Sequence, residues 1–322
     1  MTNHDETTGD GRRKTNVPRP RQRTRRPALP VSKAPPPPAA ASDDAATAGA
    51  TDSSSLSGSD HARTSGRGGH ARLLGRASSE EAALCEQWTD AMCAADAGAI
   101  PDDGHALVHR AIGYLDAMLA ANAHVNLTAI RDRDAACVLH ALDSLMVHAA
   151  LETPPRIVID LGSGNGFPGV AAAASWPDAH VICIERTQKK ARAITECAAA
   201  SGLSNLEVVA LDAAQVPARV PGLCDRADVV LSRAMADLAT VVRYAVPLLA
   251  RDAARLVQWK SQDISRNERE AGERAAAESW LGVRPDILYP LPPVQGESEH
   301  RVRRLVVYER VRRAASHRRS SR

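Results

Sequence analysis

The stretch "GSGNGFPG", residues 162–169, has residue types and spacing suited to holding a ligand, and it contains Phe167, the only phenylalanine in the 322-residue chain. Gly162, Gly164 and Gly166 permit a tight turn and let backbone N–H groups approach a ligand without interference from a Cβ. Pro168 suits the first turn of a following helix, where a missing N–H is no loss. The loop follows a short apolar run ending in Asp160 and precedes an alanine-rich stretch, the strand-to-helix setting in which glycine motifs gain meaning. Glu185 lies 23 residues beyond Gly162, where a carboxylate can take both ribose hydroxyls of an adenosine, or can simply face solvent at a strand end.

Spacing separates two ligand classes. A dinucleotide fingerprint reads G-x-G-x-x-G, with its third glycine beside the pyrophosphate. Here Phe167 stands at that position and would hinder a pyrophosphate, which disfavours an NAD-dependent oxidoreductase. G-x-G-x-G after an acidic strand residue resembles the S-adenosylmethionine loop of methyltransferases, whose ligand has an amino-acid end and no phosphates.

The elements that must position this loop follow from periodicity. "RIVIDLG" (156–162), "HVICIE" (180–185), "LEVVAL" (206–211), "ADVVLSR" (227–233) and "ARLVQWK" (254–260) are short β-branched runs, separated by segments long enough for crossover helices. That alternation predicts a parallel sheet covered on both faces. "ILYPL" (287–291) and "VRRLVVYER" (302–310) are joined by a Pro/Gly turn region and predict a closing antiparallel pair. Ahead of the sheet, Ser78 and Glu81 form a capping-box signature, and Leu107, Ala111, Tyr114, Leu115, Met118 and Leu119 make one apolar helix face. A third helix is predicted over 134–151. The domain reading is an arm over 1–77, a helical cap over 78–153, a Rossmann-like domain over 154–309 and a basic tail over 310–322.

Composition sets the limits. Residues 1–77, with "PPPP" and "TDSSSLSGSD", hold too little apolar surface to offset ordering entropy and read as a disordered arm. That arm carries 13 Lys/Arg against 7 Asp/Glu and the tail 6 against none, which leaves 22 against 31 in the body. Basic termini fit nucleic-acid phosphates or mere solvation. An acidic body leaves room only for local basic patches. The cysteines Cys85, Cys93, Cys137, Cys183, Cys197 and Cys224 include no C-x-x-C pair, which suits reduced thiols better than disulfides or a metal site. The start of the chain lacks a secretion-signal core, and no apolar run is long enough to span a membrane, so the expectation is a cytoplasmic protein without membrane or metal partners.

Further segments carry a resemblance. "VNLTAIRD" (125–132), "LHALDS" (139–144), "IDLGSGNGFPGV" (159–170), "LSRAMADL" (231–238), "WKSQ" (259–262) and "EHRVRRLVV" (299–307) occur in the order found in the RsmG (GidB) family of bacterial 16S rRNA methyltransferases, over about 105–309. The resemblance implies a class I S-adenosylmethionine-dependent methyltransferase, with a mostly parallel seven-stranded sheet, an antiparallel closing strand and an N-terminal helical cap. It also implies methylation at N7 of one guanosine, with 16S rRNA or the small ribosomal subunit as partner. By the family pattern, Gly162, Phe167, Ala213, Ala214 and Arg233 are cofactor-site residues, beside Gly164 and Glu185. The alternative is a class I methyltransferase acting on another RNA, a small molecule or a protein; a silent RNA-binding protein on the same fold is a further reading.

Asn126, His140, Asp143 and Lys260 are candidate substrate contacts, each with a structural alternative. His140 and Asp143, with Ser144, could lock the cap onto the sheet as well as position a ligand. Asn126 and Thr128 could cap the third helix. Lys260 and Arg233 could be surface cations, although the carboxyl ends of parallel strands border the ligand crevice. No His/Asp catalytic pair stands out. Guanine N7 has an in-plane lone pair and no proton, so its methylation requires none, and proximity and orientation would carry the rate.

Overall fold

A computed structural model describes residues 78–311. The expected arm over 1–77 and the tail beyond residue 311 lie outside the described residues. Helix α1 (Ser79–Ala94) opens with the anticipated capping box: Ser78 Oγ accepts from Glu81 N–H at 3.2 Å, and Glu81 Oε2 accepts from Ser78 N–H at 3.0 Å. Helix α2 (Gly104–Val125) buries Leu107, Ala111, Tyr114, Leu115 and Met118 along one face and stops at Asn126, which adopts φ 59°. Asn126 is therefore the C-cap of α2. The cap of the next helix is Asp132, whose Oδ1 accepts from Ala135 N–H at 2.8 Å, so neither Asn126 nor Thr128 holds that position. Helix α3 (Arg133–Ala136) runs on through a π-helical turn (Cys137–Leu142), the short α4 (Asp143–Leu145) and a 3₁₀ stretch (Met146–Ala150).

The chain then alternates between strand and helix. It passes through β1 (Ile157–Leu161), α5 (Gly169–Ser175), β2 (His180–Ile184), α6 (Gln188–Ala200) and β3 (Leu206–Val209). It continues through α7 (Val216–Arg219), β4 (Val229–Arg233), α8 (Leu238–Ala245), β5 (Arg255–Ser261) and α9 (Arg266–Glu278). It closes with β6 (Leu281–Val283), β7 (Ile287–Leu291) and β8 (Arg301–Arg310). Strand order is β3-β2-β1-β4-β5-β8-β6, with β7 also on β8; β1 to β5 are parallel, and β8 is antiparallel to all its neighbours.

The expected seven strands become eight, in seven positions. Leu281 to Val283 pair with Arg310 to Tyr308, and Ile287 to Leu291 pair with Leu305 to Arg301, so β6 and β7 share one edge of β8 end to end. Pro285 lies in the gap, and β6 is only three residues around Gly282, too short for a periodicity signal.

The strand pleat divides the core in two. Val158, Val181, Leu231 and Val257 face one hydrophobic cluster with α1, α2, α5 and α6, whereas Ile159, Ile182, Val230 and Leu256 face another with α8 and α9. The helices ahead of β1 thus form part of a face of the sheet. Trp88, Leu115 and Met118 are fully buried in that first cluster, the Leu and Met side chains each contributing roughly 1.5–3 kcal/mol. Arg310, placed in the tail by composition, belongs to the sheet: its guanidinium donates to the carbonyls of Val246, Ala250 and Ser279. Of the cysteines, Cys85, Cys183 and Cys197 are buried while Cys93 is exposed. Among the described residues, no helix is long and apolar enough to cross a membrane.

Candidate cofactor and acceptor clefts

The glycine loop sits between the carboxyl ends of β1 and β4, where the chain leaves the sheet in opposite directions, the usual crevice of an open α/β sheet. Gly162, Gly164 and Gly166 have φ of 70°, 58° and 98°, a region where side chains are strained. Gly162 has a second reason to be glycine: a Cβ there would lie 2.9 Å from Met235 Cγ. Pro168 stands at the N-cap of α5, one position before the first helical residue. Behind the loop, Asp160 is fully buried; Oδ2 accepts from Gly169 N–H at 3.0 Å and pins the start of α5. Burial pushes its carboxyl up to about 7, and among the described residues Oδ1 has no hydrogen-bond partner.

On one side of the loop is a cleft of about 430 Å³ lined by Gly162, Gly164, Glu185, Ala213 and Met235, among others. Glu185 is buried, and its two oxygens accept from Gly164 N–H (3.0 Å) and Thr187 N–H (2.7 Å). A carboxylate has about four acceptor sites, so two remain for ribose hydroxyls. Asp212 also lines the cleft, its Oδ1 accepting from Ala214 N–H at 2.9 Å. Ala213 is on the wall; Ala214 is exposed and is not part of the lining. The donor and acceptor set, the glycine cradle and the cavity fit an adenosine-bearing cofactor. Arg186, Thr187, Lys190, Thr240 and Tyr244, which no motif singles out, complete the wall.

On the other side is a cleft of about 370 Å³ lined by Thr128, Leu139, His140, Phe167, Arg233 and Arg303, with other residues. It shares Gly162, Gly164 and Ala234 with the first cleft, so the two meet over the loop. Phe167 lies on this second wall and not on the nucleoside wall. Its ring meets Tyr114 edge-on (centroids 5.6 Å, 86°) and lies nearly parallel to His140 (6.2 Å, 13°), which fastens the loop to the helical layer.

Asp143 organises this wall. Its carboxylate receives Tyr289 OH at 2.6 Å, Arg233 at 3.2 Å and Arg303 at 3.3 Å, while Trp259 Nε1 donates to its backbone carbonyl at 2.7 Å. Burial, followed by the charge of Asp143, pushes the Tyr289 phenol well above its ordinary range. Arg233 also donates to Leu139 O (2.9 Å) within the π-helical turn and to Phe167 O (3.4 Å), so it ties the helical layer to the loop. Its second nitrogen lies 3.3 Å from His140 Nδ1. Because a guanidinium only donates, Nδ1 accepts and Nε2 carries the proton toward Thr128 Oγ1 at 2.9 Å. Burial and the Arg233 charge lower the His140 pKa to about 4, so the ring is neutral near pH 7.

Two expected substrate residues lie outside both clefts. Asn126 is an exposed helix cap. Lys260 Nζ binds Glu268 (2.7 Å) and Ala236 O (2.9 Å), and so braces the segment after β4. Arg303, Tyr289 and Trp259 are missed by sequence reasoning; Arg303 and Trp259 lie inside the matched segments "EHRVRRLVV" and "WKSQ", but nothing local tells which of their residues faces the site.

A sheet with an antiparallel strand inserted before its last position, a G-x-G-x-G loop and a carboxylate at the end of β2 define a Rossmann-like methyltransferase fold. Residues 108–283 match the family described as GidB, rRNA small subunit methyltransferase G, and the chain belongs to that family. The ribosomal RNA small subunit methyltransferase G of Chloroflexus aggregans is 36% identical over 162 residues, which is 50% of this chain and 67% of that protein. The proteins of the same name from Neisseria gonorrhoeae (37% over 150 residues; 46% and 69%) and Solibacter usitatus (36% over 180 residues; 55% and 81%) are similarly related.

Proposed function

We propose that this protein transfers a methyl group from S-adenosylmethionine to N7 of a guanosine in 16S rRNA, in the cytoplasm where that RNA is found. The observation that carries the reading is the meeting of the two clefts at Gly162, Gly164 and Ala234, which lets a nucleoside cofactor and an acceptor base face each other across the loop. When bound, S-adenosylmethionine supplies an electrophilic methyl group on a sulfonium sulfur. Glu185 and Asp212 hold the ribose and adenine end; Gly162 and Gly164 provide backbone close to the ligand.

The acceptor wall suits a base that needs no deprotonation. Both ring nitrogens of His140 are engaged and Asp143 is committed to two arginines, so neither is free to take a proton. Guanine presents N7 and O6 as neighbouring acceptors. Arg303 uses Nε and one terminal nitrogen on Asp143, which leaves its other terminal nitrogen for O6. The rate then comes mainly from proximity and orientation.

Deletion of the gene, followed by mapping of N7-methylguanosine in small-subunit RNA, tests the reading. The mark should vanish, return with the wild-type chain and stay absent with Gly162→Asp. A mark that persists in the deletion strain sinks the assignment. Calorimetry with S-adenosylmethionine and with NAD tests the cofactor, and tight binding of NAD alone overturns it.

A further inference from the structure

The cations of this chain divide sharply into paired and unpaired. Among the described residues, Arg131, Arg186, Lys189, Lys190, Arg219 and Arg226 are the lysines and arginines with neither a hydrogen bond nor an ion pair from the side chain. Elsewhere the acidic body absorbs its cations, in pairs such as Arg133 with Asp116 and Lys260 with Glu268.

Four of the unpaired six border the site. Arg186 and Lys190 line the nucleoside cleft, and Lys189 is exposed beside them. Arg131 is exposed on the other side, between Ile130, which lines the acceptor cleft, and Asp132. Three like charges within five residues repel one another, and Lys189 and Lys190 fall in the first turn of α6, which carries no acidic residue. Cations there oppose the helix dipole, whose amino end favours negative charge. A local arrangement that disfavours its own helix, beside a site, is the kind of inconsistency that function retains.

We infer that these cations form a two-sided phosphate grip, with Arg131 on one rim and Arg186 and Lys189 on the other holding the RNA backbone on either side of the acceptor nucleotide. The inference rests on the proposed RNA substrate and specifies how a body with more acidic than basic residues holds it: through a short strip of unpaired charge. Each neutralised phosphate releases condensed counterions, so the grip has a measurable salt signature.

The test uses the full chain, undermodified small ribosomal subunits and a double variant, Arg131→Gln with Lys189→Gln, neither residue lining a cleft. The slope of log affinity for subunits against log salt should flatten by about 1.4, at ~0.7 for each phosphate of single-stranded RNA that is no longer neutralised. KM for subunits should rise while kcat and the affinity for S-adenosylmethionine hold, the last also reporting that the variant is folded. Arg226→Gln is the control, because Arg226 precedes β4 at the amino end of the sheet, away from the clefts. An unchanged slope and KM in the double variant overturns the grip, as does an equal loss in the control. Failure of the wild-type chain to methylate subunits overturns the substrate reading instead, so the two failures are distinguishable.

Discussion

The two clefts flank one loop but are built in different ways. The nucleoside cleft is mainly backbone, built between the ends of neighbouring strands and within their loops: Glu185 binds Gly164 and Thr187, Asp212 binds Ala214, and Gly162 donates to Ile184 O. The acceptor cleft is side chain and long-range. Asp143 gathers Arg233, Trp259, Tyr289 and Arg303 from 90 to 160 positions away. Damage to the first should therefore fall on cofactor affinity, and damage to the second on stability as well as on the acceptor.

The largest expected effect is at the hub. Asp143→Ala leaves Arg233 and Arg303 without their carboxylate in a buried site, and breaking such a pair costs about 3–5 kcal/mol. Denaturant unfolding measures it; a loss below about 1 kcal/mol would erase the distinction between the clefts. On the loop, Gly162→Ala combines strain at φ 70° with the Met235 clash, and should weaken S-adenosylmethionine by about 100-fold. Gly164→Ala, whose Cβ would meet Gly162 O at an ordinary contact distance of 3.7 Å, should carry only the backbone strain of about 1–2 kcal/mol, near tenfold. Equal losses at the two glycines in calorimetry would remove Met235 from the explanation.

A pH series separates His140, on the acceptor wall, from Asp160, behind the loop, by sign. His140 has a folded pKa of about 4, below the ordinary 6.5, so the unfolded chain binds more protons between those values and stability rises with pH there. The contribution is present above pH 6.5 and lost as pH falls toward 4. His140→Gln should flatten that limb by up to ~1.4 kcal/mol per pH unit. Asp160 acts in the opposite direction: its carboxyl is raised from 3.8 to about 7, so the folded chain binds more protons and stability falls as pH climbs between them. Asp160→Asn should remove that fall, and unfolding curves in which both variants shift the slope the same way would refute the assignment. The smallest effect is at Lys260→Gln, which loses a partly exposed pair with Glu268 and should cost about 1 kcal/mol or less without changing RNA affinity. A rise in KM for RNA would make Lys260 a substrate contact after all.

The parallel strands and the closing pair of β7 and β8 were legible because β-branched runs bounded by breakers signal strands locally. β6 was not, since three residues around a glycine carry no period, and its strand character comes from pairing with Tyr308 to Arg310. The glycine loop was legible for the same local reason: φ above zero at Gly162, Gly164 and Gly166 favours glycine whatever packs nearby. Phe167 shows the boundary. Its place in the loop is a matter of sequence, but whether its ring lines the nucleoside or the acceptor wall depends on Tyr114 and His140, which arrive from other elements.

By itself, then, the sequence determined the strand and helix alternation, the glycine loop and the carboxylate at the end of β2, and its motifs carried the family resemblance, because these depend on local sterics, periodicity and spacing. Only the tertiary structure decided that Asp143 is a hub, that Lys260 is a brace, that Asn126 caps a helix and that Arg303 lines the second cleft. Those roles are set by which distant side chain reaches a buried charge, and burial of a charge is a property of the assembled layers rather than of any segment within them.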